Sequence, residues 1–165
     1  GKRISKSSAV AEALGTLDEV NSFLGLVKIK SKGLKCKIAG LSIEKIVSRV
    51  QQNLFIIQAE LAGAPKKIET EKVKEMEDCI HVIEKELPPI KTFFVSGGTE
   101  CAVLFDFART LARRAERRVV AVGESGIAIG KNSLAYLNRL SSLLYALARL
   151  SNHKSGITEE PPSYQ

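Results

Sequence analysis

Apolar residues recur at alternating steps of three and four along almost the whole of this 165-residue chain. This spacing places them on one side of an α-helix, whereas a half-buried strand would need every second residue to be apolar. The one stretch that looks extended, "TFFVSGG", is too short to build a sheet. We therefore predict an all-α fold, a five-helix antiparallel bundle with ferritin-like up-and-down topology. The predicted helices lie at about 8–30, 43–61, 69–87, 99–123 and 132–152.

The predicted helices fit a single domain. A chain of this length can bury one sizeable core and is too short for two comfortable ones. We assign residues 1–152 to the helical domain. The end of the chain, "NHKSGITEEPPSYQ", is polar and contains proline, so residues 153–165 are predicted to form a mobile tail.

The composition disfavours several classes of protein. With 44% hydrophobic and 26% charged residues, the sequence is typical of a soluble globular protein, and no apolar run approaches the roughly 20 residues of a membrane span. The net charge of +7 favours anionic partners without choosing among them. Nucleic acid is disfavoured, because aromatic residues are few and no nucleic-acid-binding motif is recognisable. The three cysteines follow no disulfide or zinc spacing, which predicts free thiols in a cytoplasmic protein.

One histidine has the spacing of a helical metal ligand. Asp78 and His81 stand three residues apart on a predicted helix. A di-iron bundle needs two Glu-x-x-His pairs, however, and the sequence has no second one. We therefore interpret His81 as a surface residue and predict no metal site built from protein ligands.

Arginine is unusually dense in "ARTLARRAERRVV". At 100° per residue, Arg109, Arg113 and Glu116 share one stripe of the helix, while Arg114 and Arg118 point elsewhere. One interpretation is an exposed charged stripe in which Arg113 pairs with Glu116. The other is a site for an anion, because guanidinium groups bind phosphate oxygens bidentately. The residues alone leave both interpretations open.

Polar residues in two other helices also allow two interpretations. In the first helix, Asp18, Ser22 and Gly25 share a face with Asn21, on the side opposite the apolar residues. This face is either plain solvent-exposed surface or a place where another backbone or a ligand approaches closely. In the last helix, Asn138 lies inside a leucine-rich run and is either a surface amide or a specific hydrogen-bonding group.

Four sequence blocks together resemble a known family. In chain order they are "ALGTLDEVNSFLG", "QNLFIIQAELA", "FFVSGGTECAVLFDFARTLARRAERRVV" and "YLNRLSSLLYALAR". They are similar to the ATP:cob(I)alamin adenosyltransferases of the propanediol-utilisation type, and the resemblance covers almost the whole chain. It favours the anion-site interpretation of the arginine stripe.

The resemblance implies a fold, an assembly and a reaction. The chain would form a five-helix homotrimer with an active site at each subunit interface. It would transfer the 5′-deoxyadenosyl group of ATP to cob(I)alamin and release tripolyphosphate, with Mg²⁺ bound to the phosphates. A reductase partner would first supply the electron that converts Co(II) to Co(I). The other partners would be the small molecules ATP and cobalamin, with no nucleic acid or membrane.

The resemblance also implies roles for individual residues. The positions assigned to the nucleotide are Lys6, Arg113, Arg114, Glu116, Arg117 and Asn138. Asp18 and Arg109 match a pair that joins two subunits beside the corrin, and together with Arg113 they form the implied catalytic set. Phe93, or its neighbour Phe94, matches the apolar residue at the lower face of cobalt. Purely structurally, the two phenylalanines could instead plug the end of the bundle.

The sequence departs from the family pattern at several positions. Ser96 stands where the family has proline, Ser142 replaces an acidic residue, and Lys6 is followed by serines rather than two acids. The glycine- and threonine-rich loop that wraps the triphosphate in the family would precede Gly1. These differences leave one alternative, a catalytically silent helical module that binds nucleotide or corrinoid.

Overall fold

The computed structural model describes residues 5–164, so residues 1–4 of the predicted domain and residue 165 of the predicted tail lie outside it. Within that range the chain forms five α-helices, which confirms the predicted all-α class. The helices are α1 (Ala9–Lys30), α2 (Ile43–Leu61), α3 (Thr70–Glu86), α4 (Glu100–Glu124) and α5 (Lys131–Lys154). A turn of 3-10 helix (Ser31–Gly33) and a small antiparallel hairpin, β1 (Lys37–Ile38) and β2 (Leu41–Ser42), connect α1 to α2.

Local hydrogen bonds explain where several helices begin. Thr99 is the N-cap of α4, because its side chain accepts a hydrogen bond from the backbone N–H of Ala102. Helix α5 has no side-chain cap of its own. Glu60 of α2 takes that role by accepting hydrogen bonds from the backbone N–H of Gly130, at 2.8 Å, and from the Ser133 hydroxyl. The start of α5 is thus joined to α2.

Helix α4 lies between α1 and α5 and packs against both. Ala108, Ala115 and Val119 are fully buried, whereas Leu104 and Leu111, which share the same apolar stripe of α4, are only half-buried. Small alanine side chains let helices approach closely and leave little room for leucine between them. The leucines therefore lie at the edges of the contact.

A ladder of side-chain pairs, which we call the α1–α4 ladder, joins these two antiparallel helices along their length. Phe23 and Phe107 pack edge to face, with ring centres 5.0 Å apart. Three ion pairs complete the ladder: Glu12 with Arg118, Glu19 with Arg114, and Lys30 with Glu100. Arg114 and Arg118 therefore face α1, which explains part of the arginine density in α4.

The polar face predicted for α1 is wrong at Asn21. Asp18 and Ser22 are exposed, but Asn21 is buried with only 5% of its surface accessible. Helix α2 covers it, and the Gln51 side chain donates a hydrogen bond to the Asn21 backbone carbonyl at 3.0 Å. Within residues 5–164 the Asn21 Oδ1 atom is buried without a hydrogen-bond partner.

The C-terminal segment differs from the expected mobile tail. Helix α5 continues to Lys154, and the following residues 155–164, which we call the tail, fold back on the bundle. The backbone N–H of Val95 donates to the Glu160 carbonyl at 2.9 Å, and Glu159 forms an ion pair with Arg149 of α5. These contacts fasten part of the tail to the loop before α4. Among the described helices, none is long and apolar enough to cross a membrane.

Candidate active site

A pocket of roughly 640 Å³ opens beside α4 and α5. Its third wall is the segment 90–97, which we call the pocket loop. The polar and charged side chains that line the pocket come mainly from the two helices, and the apolar ones come mainly from the loop. The residues used below are Phe93, Phe94, Ser96, Asp106, Arg109, Arg113, Ser142, Tyr145, Arg149 and Glu159.

Asp106 and Arg109 form an ion pair within α4, with 2.6 Å between Arg109 Nε and Asp106 Oδ1. Ser96 of the pocket loop donates a second hydrogen bond to the other carboxylate oxygen. Burial opposes ionisation of Asp106, but the hydrogen bonds from Arg109 and Ser96 outweigh it and hold the pKa of the carboxyl below its ordinary value. Ser96, which stands where the resembled family has proline, thus connects the pocket loop to Arg109.

This lowered pKa predicts how Asp106 contributes to stability. A carboxyl whose pKa is depressed by folding stabilises the folded state above its unfolded pKa of about 3.9, and the contribution is lost as the pH falls through the folded pKa. Asp106→Asn should therefore melt below the parent protein at pH 6. The difference should shrink below about pH 4, where the parent carboxyl takes up its proton. Thermal melting between pH 7 and 3 measures this.

The control is Asp78→Asn, which removes an exposed carboxylate from α3. It should change the melting temperature little at any pH. A difference between Asp106→Asn and the parent that stayed constant down to pH 3 would contradict the assigned role of the Asp106 charge.

Arg109 and Arg113 are the arginines of α4 that reach the pocket. The guanidinium carbon of Arg109 lies 5.9 Å from the centre of the Tyr145 ring on α5, within range of a cation–π contact. Arg113, one turn further along α4, is exposed and lines the pocket. It has no ion pair or side-chain hydrogen bond to any residue between 5 and 164. Its positive charge is therefore available to a ligand.

Glu116 contacts Asn138 rather than Arg113. The Asn138 amide nitrogen donates to Glu116 Oε1 at 2.9 Å, joining α5 to α4 just beyond the pocket. Asn138 is thus a specific hydrogen-bonding group, and the alternative in which Arg113 pairs with Glu116 is not seen. The structure places Arg109, Arg113, Glu116 and Asn138 along one side of the α4–α5 contact.

The other residues predicted to bind the nucleotide lie away from these four residues of α4 and α5 within the single chain. Arg114 pairs with Glu19 across the α1–α4 ladder. Arg117 is exposed, and Lys6 is exposed in the turn that precedes α1. Neither these residues nor Arg114 line the pocket.

Phe93 and Phe94 have different environments. Phe93 is 79% exposed, so it does not plug the end of the bundle. Phe94 is half-buried, and the Arg149 guanidinium lies 5.2 Å from the centre of its ring. Phe93 therefore presents an unpacked aromatic ring at the pocket, on a loop that Phe94 holds to α5.

Asp18 is exposed on α1, and no residue from 5 to 164 pairs with it. Arg109 has a partner in its own helix, because Asp106 occupies its Nε atom. A guanidinium carries five N–H donors, so the terminal nitrogens of Arg109 remain free for a second carboxylate.

Four residues of the pocket are absent from the set predicted from the sequence: Asp106, Tyr145, Arg149 and Glu159. The three-residue spacing of Asp106 and Arg109 is a recognisable helical ion-pair signal. The Arg149–Glu159 pair gives no such signal, because Glu159 lies beyond the end of α5 and reaches Arg149 only by reversal of the chain.

Comparison with known proteins identifies the family. A family model described as "Cobalamin adenosyltransferase" matches residues 1–151. The chain belongs to the cobalamin adenosyltransferase family. This confirms the resemblance found in the sequence blocks.

Several corrinoid adenosyltransferases are similar to this chain in sequence. The Corrinoid adenosyltransferase of Bacillus subtilis (strain 168) is 40% identical over 161 residues, covering 95% of this chain and 81% of the relative. The Corrinoid adenosyltransferase PduO of Citrobacter freundii is 38% identical over 160 residues, covering 93% of this chain and 45% of the relative. The chain thus spans about half the length of the PduO relatives it matches.

A solved structure shares the fold. A variant PduO-type ATP:corrinoid adenosyltransferase from Lactobacillus reuteri, complexed with cobalamin and ATP, matches with a TM-score of 0.85 at 26% sequence identity. The match covers 98% of this chain and 87% of that one.

Proposed function

We propose that this chain transfers the 5′-deoxyadenosyl group of ATP to cob(I)alamin at the α4–α5 pocket. Membership of the family makes the chain an adenosyltransferase. This location is supported by one observation: Arg109 and Arg113 line the same pocket as the apolar side chains of the pocket loop. The two arginines suit an anionic nucleotide, and the apolar pocket loop suits the flat face of a corrin. Corrin would lie beside Phe93, and ATP along Arg113, Glu116 and Asn138.

The proposed reaction is a displacement at the ribose C5′ carbon. The Co(I) electron pair forms the Co–C5′ bond while the C5′–O bond breaks, and tripolyphosphate leaves with the bonding electrons. The protein therefore needs no covalent nucleophile. It aligns the two substrates and stabilises the negative charge of the leaving group. Arg113 fits the second task because its guanidinium is exposed and unpaired among residues 5–164.

Mg²⁺ is also part of the proposal, as the ion that accompanies the triphosphate. Within residues 5–164 there is no cluster of three or more His, Cys, Asp or Glu side chains that could hold a metal. Mg²⁺ at nucleotide sites usually takes most of its ligands from phosphate oxygens and water. The residues present fit an Mg²⁺ ion that arrives with ATP, and Glu116 is the carboxylate that could bind the ion or its water.

Phe93 suits the step that precedes transfer. Reduction of Co(II) to Co(I) is difficult while an axial donor holds cobalt, and an aromatic ring against the lower face excludes that donor. Phe93 is exposed at the pocket and offers no lone pair to cobalt. We propose that a reductase partner delivers the electron. A cytoplasmic location is part of the proposal, and the three unpaired cysteines support it.

We further propose that the chain assembles as a homotrimer. Helices α1 and α4 expose several large apolar residues near the α1–α4 ladder, and a monomer would leave these residues in water. They are Leu26, Val103 and Phe107, each more than two-fifths exposed. The terminal nitrogens of Arg109 are free to bind Asp18 of the partner subunit. Because Arg109 lines the pocket, this contact between subunits would border the corrin.

Asp18→Asn tests the contact between subunits. We expect corrinoid affinity to fall by about tenfold to a hundredfold, the value of one hydrogen bond to a charged group. The trimer should also dissociate at a higher protein concentration than the parent trimer. Corrinoid titration and light scattering measure the two effects. The matched control is Glu19→Gln, since Glu19 is the next residue and pairs within the chain. Unchanged affinity and assembly in Asp18→Asn would remove this pair from the proposal.

One assay tests the function itself. The purified chain is mixed with ATP, Mg²⁺ and chemically reduced cobalamin, and the corrinoid absorbance is followed. Formation of adenosylcobalamin with release of tripolyphosphate is the expected result. Binding of either substrate without turnover would instead support the catalytically silent module.

A further inference from the structure

We propose that Arg149 is a positioning residue, which holds the pocket loop to the tail and thereby sets the place of Phe93. This inference rests on the proposed function, because it concerns the loop that carries the corrin-facing ring. Arg149 belongs to α5, whereas the loop precedes α4 and the tail follows α5. One side chain therefore joins three separate parts of the chain.

Arg149 contacts three residues through two hydrogen bonds and the face of its guanidinium. Its Nε atom donates to Glu159 Oε2 at 2.8 Å, and one terminal nitrogen donates to the Pro88 carbonyl at 3.0 Å. The face of the guanidinium lies over the Phe94 ring at 5.2 Å. Together these contacts hold the chain just before the pocket loop, at Pro88, and the centre of the loop, at Phe94. Lysine could not reproduce them, since it lacks the planar fork and the stacking face.

Burial makes the partner of Arg149 important. The Arg149 side chain is only 6% exposed, and the Glu159 side chain 18%. A buried guanidinium without a counter-ion is strongly unfavourable, so removal of the Glu159 charge should drive Arg149 towards water. Arg149 would then leave Phe94 and Pro88. The pocket loop would lose this attachment although neither residue had been changed, and only the hydrogen bonds of Ser96 to Asp106 and of Asn152 to the Gly97 carbonyl would still hold its far end.

The tail supplies a second attachment to the same loop. The backbone N–H of Val95 donates to the Glu160 carbonyl at 2.9 Å, one residue after Glu159. This bond can form only while the tail is folded back. Val95 is two residues from Phe93, so the ion pair between Glu159 and Arg149 and the backbone bond at Val95 restrict the loop from both sides of Phe94. Order in the tail is thereby coupled to the position of the Phe93 ring.

The experiment compares Glu159→Gln with Glu160→Gln in the complete chain. Both variants remove one tail carboxylate, but the Glu160 side chain has no partner among the described residues, since the bond to Val95 uses its backbone carbonyl. Cob(II)alamin binding is titrated with ATP present and reductant absent, so that no turnover occurs. Trypsin cleavage after Lys91, an exposed residue of the loop, reports loop attachment without any ligand.

We expect Glu159→Gln to weaken cob(II)alamin binding by about fivefold to tenfold, with ATP affinity within about twofold of the parent. Cleavage after Lys91 should be at least about threefold faster, because a detached loop opens more often. Glu160→Gln should match the parent in all three measurements. A helical circular dichroism spectrum equal to that of the parent confirms that the bundle itself is intact in Glu159→Gln.

Two results would overturn the proposal. In one, Glu159→Gln and Glu160→Gln are indistinguishable in cleavage and in corrinoid binding. In the other, cleavage accelerates while corrinoid affinity stays at the parent value, so that Arg149 holds the loop without positioning it for the corrin. Failure of the proposed function is distinguished from both, because the unmodified chain would then form no adenosylcobalamin from pre-reduced cobalamin.

Discussion

Arg113→Ala should lower kcat/KM for ATP by about tenfold to a thousandfold and leave the melting temperature nearly unchanged. The large kinetic effect is expected because the charge on the leaving tripolyphosphate grows in the transition state, where a guanidinium fork stabilises it most. The small thermal effect is expected because Arg113 is exposed and has no partner between residues 5 and 164. Steady-state rates at varied ATP and saturating corrinoid measure the first effect, and calorimetry the second.

Arg118→Ala is the matched control for Arg113. Arg118 is also an exposed arginine of α4, but it pairs with Glu12 at 3.2 Å on the side facing α1. Its loss removes the same charge from the same helix without touching the pocket, and we expect kcat/KM within about twofold of the parent. Near-parental turnover in Arg113→Ala would return Arg113 to the class of ordinary exposed charges.

Phe93→Ala should slow adenosylation that starts from Co(II) by about a hundredfold or more, the range for loss of one preorganised group. Without the ring, water or the nucleotide tail of cobalamin can bind cobalt from below and make reduction harder. The loss should be distinctly smaller when the reaction starts from pre-reduced Co(I), which binds axial donors poorly. Parallel assays from the two oxidation states, each at saturating ATP, measure this difference.

Exposure of the Phe93 ring sharpens this test. Because the ring is 79% exposed, its loss should change the free energy of unfolding by less than about 0.5 kcal/mol, whereas truncation of a core phenylalanine costs about 3–5 kcal/mol. Phe55→Ala, at an exposed aromatic residue of α2 away from the pocket, is the control and should leave both assays unchanged. Equal losses from Co(II) and Co(I) would refute the cobalt-face role of Phe93.

The sequence predicted the helices well because each one is specified locally. Apolar periodicity, the Thr99 cap and the bounding glycines and prolines act within a few residues of each other, and the observed helix ends lie within about two residues of the predicted ones. The stripe with Arg109, Arg113 and Glu116 also follows from helix geometry alone. Its neighbours on α5 do not, because antiparallel register is set by packing over the whole interface.

The remaining parts of the site depend on contacts that no local pattern encodes. Helix geometry predicts Asn21 on the polar face of α1 beside Asp18 and leaves open whether that face is exposed or approached by another backbone, and α2 covers Asn21. The tail was predicted to be mobile because it is polar and contains proline, whereas Arg149 and Val95 bind it. In both cases the decisive partner is distant in sequence. A single chain read by periodicity gives no information about such partners.

The α1–α4 ladder also affects the pocket side of α4, because a rigid helix moves as one body. A helix rises 5.4 Å per turn, so a slip of α4 by one turn along α1 would carry Arg113 the same distance past α5. Displacement of a catalytic group by about 1 Å can already cost a hundredfold in rate. The exposed pairs Glu12–Arg118 and Glu19–Arg114 contribute little stability as individual salt bridges, yet they oppose a one-turn slip, because it would leave only one of the two glutamates facing an arginine. Charge reversal at Glu12 and Glu19 together would therefore be a defect of alignment, visible in turnover before it is visible in the melting curve.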